Sequence, residues 1–277
     1  MTMRSFHFTG ASESIELLEH YLSEANVVHV HNYISAALVV LINKVFGGKK
    51  LIFHVHSPLR EGPLFADVSR VMDLEFTDYY VVAQYQPRHY QEYTPICNIV
   101  PSVNELNPVV EKLNRDALSV IYSPAQTRKG GRWNQKTSKT LMLVLENEVI
   151  KGAVRLKAPS KMHEAQLLAY RQLFDVTIDE IVTGAFHQIS LEGLSAGNIV
   201  VNNTDFFSFE MLKVAIRSIE NPPFYLMSEA DCAQKIKFLA LLKDSEVEER
   251  KQESREYFKR YLMPSRLASL LVENYER

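Results

Sequence analysis

Cysteine is scarce in this chain, with only Cys97 and Cys232 among its 277 residues. The two thiols lie far apart in the sequence and form no C-x-x-C spacing, which excludes a disulfide framework. They are typical of ordinary thiols in a reducing compartment.

Long apolar runs are also missing. No segment approaches the ~20 apolar residues that span a bilayer, and the opening MTMRSFHFTG contains no apolar stretch of signal-peptide length. We therefore expect a cytoplasmic protein that at most associates peripherally with a membrane surface.

A surplus of positive charge is absent as well. Lys and Arg total 31 against 33 Asp and Glu, which gives a formal net charge of -2. Proteins that bind the nucleic acid backbone usually carry a basic surplus, so nucleic acid is a disfavoured partner, although a local basic patch is still allowed. The remaining composition, 46% hydrophobic and 23% charged, is ordinary for a globular protein, and the length fits two modest lobes.

Short β-branched runs alternate with helical patterns along most of the chain. The strand VVHVH at residues 27–31, a helix at 35–46 and a strand at 51–56 form a βαβ unit, which is typical of a parallel sheet. Further strands are predicted at residues 5–9, 79–83, around Ile99 and Val100, and at 118–122, 153–157, 175–179 and 198–202; further helices are predicted at 12–26, 137–147, 161–174 and 189–196. After Asn203 the pattern predicts helices only.

The alternation predicts an α/β fold with two lobes. We assign residues 1–104 to an N-terminal lobe, 105–116 to a polar linker, 117–240 to a second lobe and 241–277 to C-terminal helices. Two consecutive doubly wound units imply a cleft, and ligands bind beyond the carboxyl ends of parallel strands, where helix N–H groups are unpaired.

The most informative segment is DVTIDEIVTGAFHQISLEGLSAGNIVVNN, residues 175–203. It predicts a strand, a glycine turn, a short helix, a small-residue turn and another strand. Gly184 permits close backbone approach to a ligand, and Gly197 is suited to end the helix. Glu192 on that helix could accept two hydrogen bonds from a ribose diol, while an ordinary surface glutamate is the alternative interpretation.

This segment resembles the nucleotide-sugar site of retaining GT-B glycosyltransferases of the family 4 (group 1) type, which reads E-G-F-G-x-x-x-L-E-A-M-A-x-G-x-P-V-V. The chain has G-A-F-H-Q-I-S-L-E-G-L-S-A-G-N-I-V-V, so Phe186, Glu192 and Gly197 match, while Gly184 replaces the first glutamate. The resemblance implies two Rossmann-like lobes with parallel sheets and C-terminal helices, in a short variant with a reduced N-terminal lobe.

The resemblance also implies roles for individual residues. Glu192 would bind the ribose, and the backbone at the helix start would face the diphosphate or the sugar. Asp179 or Glu180, or backbone amides alone, would supply the sugar contact that Gly184 cannot make, and we assign Asp179 as catalytic. The residues assigned to the donor in this segment are Gly184, Phe186, His187, Gln188, Ile189 and Glu192.

A second candidate site is the loop SPAQTRKGGRWNQK, residues 123–136. A diphosphate requires positive charge and backbone donors together, and Arg128 and Lys129 stand directly before two glycines. The loop resembles the family's diphosphate clamp, with Arg132 as a reserve arginine; a solvated basic loop is the alternative. It is not a Walker loop, because G-x-x-x-x-G-K-[ST] does not occur.

Two H-x-H runs, His29–His31 and His54–His56, form the third feature. Residues i and i+2 of a strand share a face, so each pair could chelate a metal. No acidic or cysteine partner lies at a characteristic spacing, and we predict no metal site.

The family resemblance gives the second H-x-H run a different role. It places a strand-end histidine beside the donor sugar, where His56 could stabilise developing charge as a catalytic residue. The loop after this strand places Arg60 and Glu61 on the acceptor side, where they could contact the acceptor or a phosphate, or simply pair with each other. The resemblance gives Gly10, also on the acceptor side, the place of the family's glycine loop; a plain turn is the alternative.

The resulting hypothesis is a glycosyltransferase that moves a sugar from a nucleotide-diphosphate sugar, taken as a UDP-sugar, to a saccharide or lipid-linked acceptor with retention of configuration. The resemblance implies no cofactor and no required metal. Two alternatives stay open: a non-catalytic nucleotide-sugar-binding or partner subunit, and a phage transferase that modifies hydroxymethylated DNA bases. An epimerase is weaker, because no paired acids are evident.

Overall fold

The computed structural model describes residues 12–32, 34–47, 49–56, 74–103, 116–123, 136–159 and 162–277. The chain divides into two compact units. The first comprises Met1–Val82, Gln86–Pro95 and Tyr275–Arg277, and the second comprises Ala83–Tyr85 and Ile96–Asn274.

The first sheet has the strand order β1-β2-β3-β4, in which β1 pairs parallel with β2 and β2 with β3. Its described elements, with a 3₁₀ turn at Gln86–Arg88, are α1 (Ser12–Glu24), β1 (Val27–His31), α2 (Ala36–Val45), β2 (Lys50–Val55), β3 (Asp78–Val82) and β4 (Thr94–Ile96). Ser35 begins α2 because its side chain accepts a hydrogen bond from the amide of Leu38. Apolar side chains of β2 and α2, such as Phe53 and Ile42, form the buried core.

The second sheet is fully parallel, with the order β6-β5-β7-β8-β9. Its strands are β5 (Leu118–Tyr122), β6 (Val154–Lys157), β7 (Val176–Ile178), β8 (Ile199–Asn202) and β9 (Tyr225–Leu226). The helices of this part of the chain, with a π-helical turn at Phe258–Leu262, are α3 (Lys139–Ile150), α4 (Glu164–Arg171), α5 (Gln188–Ser195), α6 (Phe206–Ile216), α7 (Cys232–Leu241), α8 (Asp244–Tyr257) and α9 (Pro264–Glu276).

Helix α5 lies unusually close to the second sheet. A β-carbon added at Gly193 would lie only 2.8 Å from Cγ2 of Val200 and 3.2 Å from Cβ of Thr177, so only glycine fits without repacking. Gly197, with φ +70°, adopts the left-handed conformation after the last turn, as the sequence predicted. This close packing fixes the start of α5 near the carboxyl end of β7.

The predicted α/β fold class with parallel sheets is confirmed. Two strand predictions are wrong. Val100 belongs to no strand: it is buried in a hydrophobic cluster and precedes Pro101, which has no N–H to donate, and the strand lies instead at Thr94–Ile96. The prediction of helices only after Asn203 misses β9, which is too short to show a periodic pattern.

Two predicted segments, the first strand at residues 5–9 and nearly all of the linker at 105–116, lie outside the described residues. Among the helices that the structure describes, none has the length and apolar character required to cross a membrane.

Candidate active site

A cavity of about 190 Å³ opens in the second unit at the carboxyl ends of β5 and β7. Ligands of parallel α/β sheets bind in this position. The residues that line the cavity are Tyr122, Ser123, Lys136, Thr137, Asp179, Glu180, His187 and Ile189. The structure brings together Asp179, His187 and Ile189 of the sequence-predicted donor segment in this cavity.

Asp179 organises the start of α5. Its Oδ2 accepts hydrogen bonds from the amide of His187 at 2.6 Å and from the hydroxyl of Ser190 at 2.8 Å, and its Oδ1 lies 3.3 Å from Nδ1 of His187. Burial raises the pKa of this carboxyl, but the charge of His187 and the hydrogen bonds from His187 and Ser190 outweigh burial and hold the pKa below its usual value. Asp179 is therefore an ionised group that is fixed at the start of α5.

A cation lies at the same helix start. The ammonium of Lys136 is 2.9 Å from Nε2 of His187. His187 occupies the N-cap position of α5 but makes no side-chain cap hydrogen bond, so its ring is not committed to the first-turn amides. A lysine ammonium and a helix N-terminus together favour a negatively charged oxygen in this cavity.

The Glu180 carboxylate accepts hydrogen bonds within the turn after β7, whereas the Asp179 carboxylate accepts them from the start of α5. Glu180 accepts its hydrogen bonds from the amides of Val182 at 2.6 Å and Thr183 at 2.8 Å, and from the hydroxyl of Thr183. These bonds shape the turn that leads to Gly184, which has φ +84°. Glu180 is therefore committed to this turn, as Asp179 is to the start of α5.

Glu192 lies on the second turn of α5 and is buried. Its Oε2 is 3.1 Å from Nε of the fully buried Arg171, and its Oε1 accepts a hydrogen bond from Nε2 of the Gln188 side chain at 3.0 Å. Burial raises the pKa of Glu192 despite the opposing charge of Arg171. A carboxylate has about four lone-pair sites, so this pairing leaves acceptor capacity for a ribose.

The remaining predicted residues fall into two groups. The Phe186 side chain is 1% exposed and packs in the hydrophobic core, so only its backbone can face a ligand, whereas Gln188 is exposed. The others lie outside the described residues: Gly10, Arg60, Glu61, Arg128, Lys129 and Arg132.

Sequence reasoning missed two charged residues of this region. Lys136 is the last residue of the predicted basic loop and stands two positions before Ser138, the N-cap of α3. A lysine so close to a predicted helix start could have been recognised as a candidate anion-binding residue. Arg171 gave no signal, because nothing in its neighbourhood of the sequence distinguishes it from a surface arginine.

The H-x-H histidines form a single row on one face of the first sheet. His31 pairs with His54 in the parallel register, so the side chains of His29, His31, His54 and His56 are neighbours. Nδ1 of His31 lies 2.7 Å from Nε2 of His56, and Nδ1 of His54 lies 3.1 Å from Nε2 of His29. His56 directly follows β2, as predicted, and its amide donates to Oδ1 of Asn32.

This row should make the protein sensitive to acid. Burial, and secondarily the neighbouring histidines, lower the pKa of His29 to about 3 and also lower that of His54, while burial lowers that of His31. Unfolded histidines bind protons near pH 6.5, so stability is full above that pH and falls as the pH decreases. At pH 5 we expect a loss of about 2 kcal/mol for each histidine that stays neutral, measured by urea denaturation at pH 7.5 and 5.0.

The variant His29→Gln should reduce this acid loss, whereas the exposed His20→Gln should not change it. An acid loss that is the same in wild type and His29→Gln would contradict the assignment of the effect to the row.

No family model matches the sequence, and no curated protein is similar to it. Solved structures are similar in fold. A trehalose-6-phosphate synthase, OtsA, has a TM-score of 0.61 at 8% identity, over 96% of this chain and 77% of that chain. An alpha-glucosyltransferase in complex with UDP and a mismatched 13-mer DNA has a TM-score of 0.57 at 9% identity, over 95% and 83%.

A further similar structure is a trehalose-phosphate synthase (UDP-forming) from Burkholderia vietnamiensis, with a TM-score of 0.57 at 12% identity, over 95% of this chain and 78% of that chain. Identities this low establish a shared fold and nothing finer. The chain has the α/β fold, with two parallel Rossmann-like sheets, of GT-B glycosyltransferases.

Proposed function

We propose that this protein is a glycosyltransferase that moves a sugar from a nucleotide-diphosphate sugar, specifically a UDP-sugar, to an acceptor hydroxyl. The observation that carries the proposal is the arrangement of Lys136, His187 and Asp179 at the start of α5. It provides positive charge and a helix N-terminus at the point where a parallel sheet binds ligands. The fold is that of solved proteins whose names specify UDP and glucosyl transfer.

The cavity suits the departure of a diphosphate. As the bond between the sugar and the phosphate breaks, negative charge grows on the phosphate oxygen and positive charge on the sugar. Lys136 and the N-terminus of α5 would stabilise the first charge, and the Asp179 carboxylate would hold His187 in a fixed orientation beside it. The proposed chemistry is positioning and electrostatics, with retention of configuration and without a required metal.

Glu192 would bind the ribose through the lone pairs that Arg171 and Gln188 leave open. The predicted residues Arg128 and Lys129 complete the proposed donor set, and His56, at the end of β2 in the first unit, is a separate prediction for catalysis. The proposed place of action is the cytoplasm.

A thermal-shift titration with UDP, ADP and GDP tests nucleotide binding. UDP at 100 times its Kd should raise stability by about 2.7 kcal/mol, and ADP and GDP should have smaller effects. The same titration with EDTA should give an unchanged shift. The absence of stabilisation by every nucleotide and UDP-sugar tried would contradict the proposal.

DNA is the second candidate acceptor, because the alpha-glucosyltransferase of similar fold was solved with DNA. Release of UDP from UDP-glucose should be measured with sugar phosphates, oligosaccharides, lipid-linked sugars and DNA containing hydroxymethylated bases. Turnover with DNA alone would select the DNA-modifying activity. Tight UDP binding without turnover on any acceptor would select a non-catalytic nucleotide-sugar-binding subunit.

A further inference from the structure

Three histidines of the first unit are arranged as a set of metal ligands. His29, His31 and His54 each place one ring nitrogen so that these atoms all lie within 4.8 Å of one another. We propose that these three imidazoles bind a single divalent transition-metal ion, of which zinc is the reference case. The proposal concerns the face of the first sheet and rests on no part of the proposed transfer reaction.

The strand register explains why the set forms. Alternate residues of a strand point to one face, so His29 and His31 share a face of β1, while His54 stands opposite His31 on β2. Considered separately, each H-x-H pair offers two ligands. The parallel pairing of β1 with β2 places His54 beside His29 and His31. The sheet therefore provides three ligands, the number found in open zinc sites.

The ring nitrogens are already near the spacing that a metal requires. Zinc–nitrogen bonds of about 2.0–2.1 Å in a tetrahedron separate ligand nitrogens by about 3.3 Å. Nε2 of His29 lies 3.1 Å from Nδ1 of His54. A metal ion placed to one side of the line between these two nitrogens could therefore replace the proton that they share, with rotation of both rings. The fourth position would fall to water, as in open zinc sites.

The ring nitrogen of His29 that would face away from the metal also has a hydrogen-bond partner. Nδ1 of His29 lies 2.6 Å from the hydroxyl of Tyr275, which belongs to the same unit. Histidine ligands usually donate their second N–H to such a group, which fixes the ring and its tautomer. Tyr275 therefore suits the role of a positioning residue that leaves Nε2 of His29 directed at the metal.

The chemistry of the donors selects the class of ion. All three ligands are imidazoles, which bind metal in their neutral form. Imidazole suits zinc, copper, nickel and cobalt, whereas magnesium and calcium prefer oxygen. We expect zinc to bind and magnesium not to compete.

The test uses the full chain after treatment with EDTA and removal of the chelator. Zinc is added, unbound metal is removed by gel filtration, and bound metal is measured by mass spectrometry. We expect one equivalent of zinc, and cobalt in its place should give the intense visible absorption of a four-coordinate site. His31→Gln, which alters an exposed residue and should fold, is expected to lower zinc affinity at least 100-fold.

Two further variants make the result specific. Tyr275→Phe should lower zinc affinity by about 10- to 100-fold, because it removes only the outer hydrogen bond. His20→Gln makes the same histidine replacement on the exposed side of α1 and should bind zinc like the wild type. The proposal is overturned if the wild type binds no stoichiometric zinc, or if both His31→Gln and His29→Gln, folded by circular dichroism, bind it as the wild type does.

Discussion

Arg171→Met should destabilise the protein by about 3–5 kcal/mol, measured by urea denaturation at pH 7.5. The side chain of Arg171 is 2% exposed and lies 3.1 Å from the buried carboxylate of Glu192. Removal of one partner leaves an uncompensated buried charge, which costs far more than the net contribution of the intact pair. Because burial already raises the pKa of Glu192, loss of Arg171 should raise it further, and the deficit should shrink as the pH falls toward 5.

Two controls separate this effect from a general loss of contacts. The double variant Arg171→Met with Glu192→Leu removes both charges and should recover most of the lost stability. Arg260→Met breaks an exposed ion pair with Glu220, at 3.0 Å, and should leave the free energy of unfolding nearly unchanged. Equal losses in Arg171→Met and the double variant would contradict the buried-pair explanation.

The buried pair also decides how the ribose role of Glu192 should be tested. Glu192→Ala would leave Arg171 unpaired and confound binding with stability. Glu192→Gln keeps the shape and one acceptor oxygen, so UDP affinity measured by calorimetry, at a temperature where the variant is folded, reports the role more directly. An unchanged UDP affinity would remove Glu192 from the donor site.

Lys136→Met should reduce turnover of the UDP-sugar by about 10²- to 10³-fold, because one preformed donor to the developing charge of the diphosphate is lost. The ammonium lies 2.9 Å from the N-cap histidine of α5 and lines the cavity. The measurement is UDP release under saturating donor, with UDP affinity measured in parallel.

Lys139→Met is the matched control, since Lys139 is exposed at the start of α3 and does not line the cavity. It should leave turnover within about twofold of the wild type, as expected for a surface charge outside the site. If both lysine variants lose the same activity, or neither does, the diphosphate role of Lys136 is wrong.

Local patterns were sufficient to predict most of the fold. The runs at residues 27–31 and 118–122 are strands with the predicted bounds, because β-branched residues between turn residues leave little alternative. The errors lie where tertiary contacts determine the secondary structure. Val100 is apolar because it packs in a buried cluster with residues of several helices, not because it belongs to a strand. β9 depends on parallel pairing with β8, which no local pattern encodes.

The candidate site was predictable only where the chain itself brings residues together. Asp179 and His187 are only eight positions apart, and the glycine turn between them folds the chain back so that they come into contact. A short-range pattern in the sequence can therefore predict this contact. Glu192 and Arg171 come from different helices, so their pairing depends on how α4 and α5 pack. The row of four histidines needs the register of β1 on β2, and the sequence alone offers only two separate pairs.

The residues Tyr275–Arg277 complete a unit whose other parts are made much earlier during synthesis. About 180 residues, Ile96–Asn274, separate them from the rest of that unit. At a translation rate of about 5–20 residues per second, this interval lasts roughly 10 to 35 s. During that time His29 lacks the Tyr275 hydroxyl and Lys50 lacks the Tyr275 carbonyl, which it otherwise contacts at 3.1 Å. The nascent first sheet must therefore persist with an unfinished histidine row until the second unit has been translated.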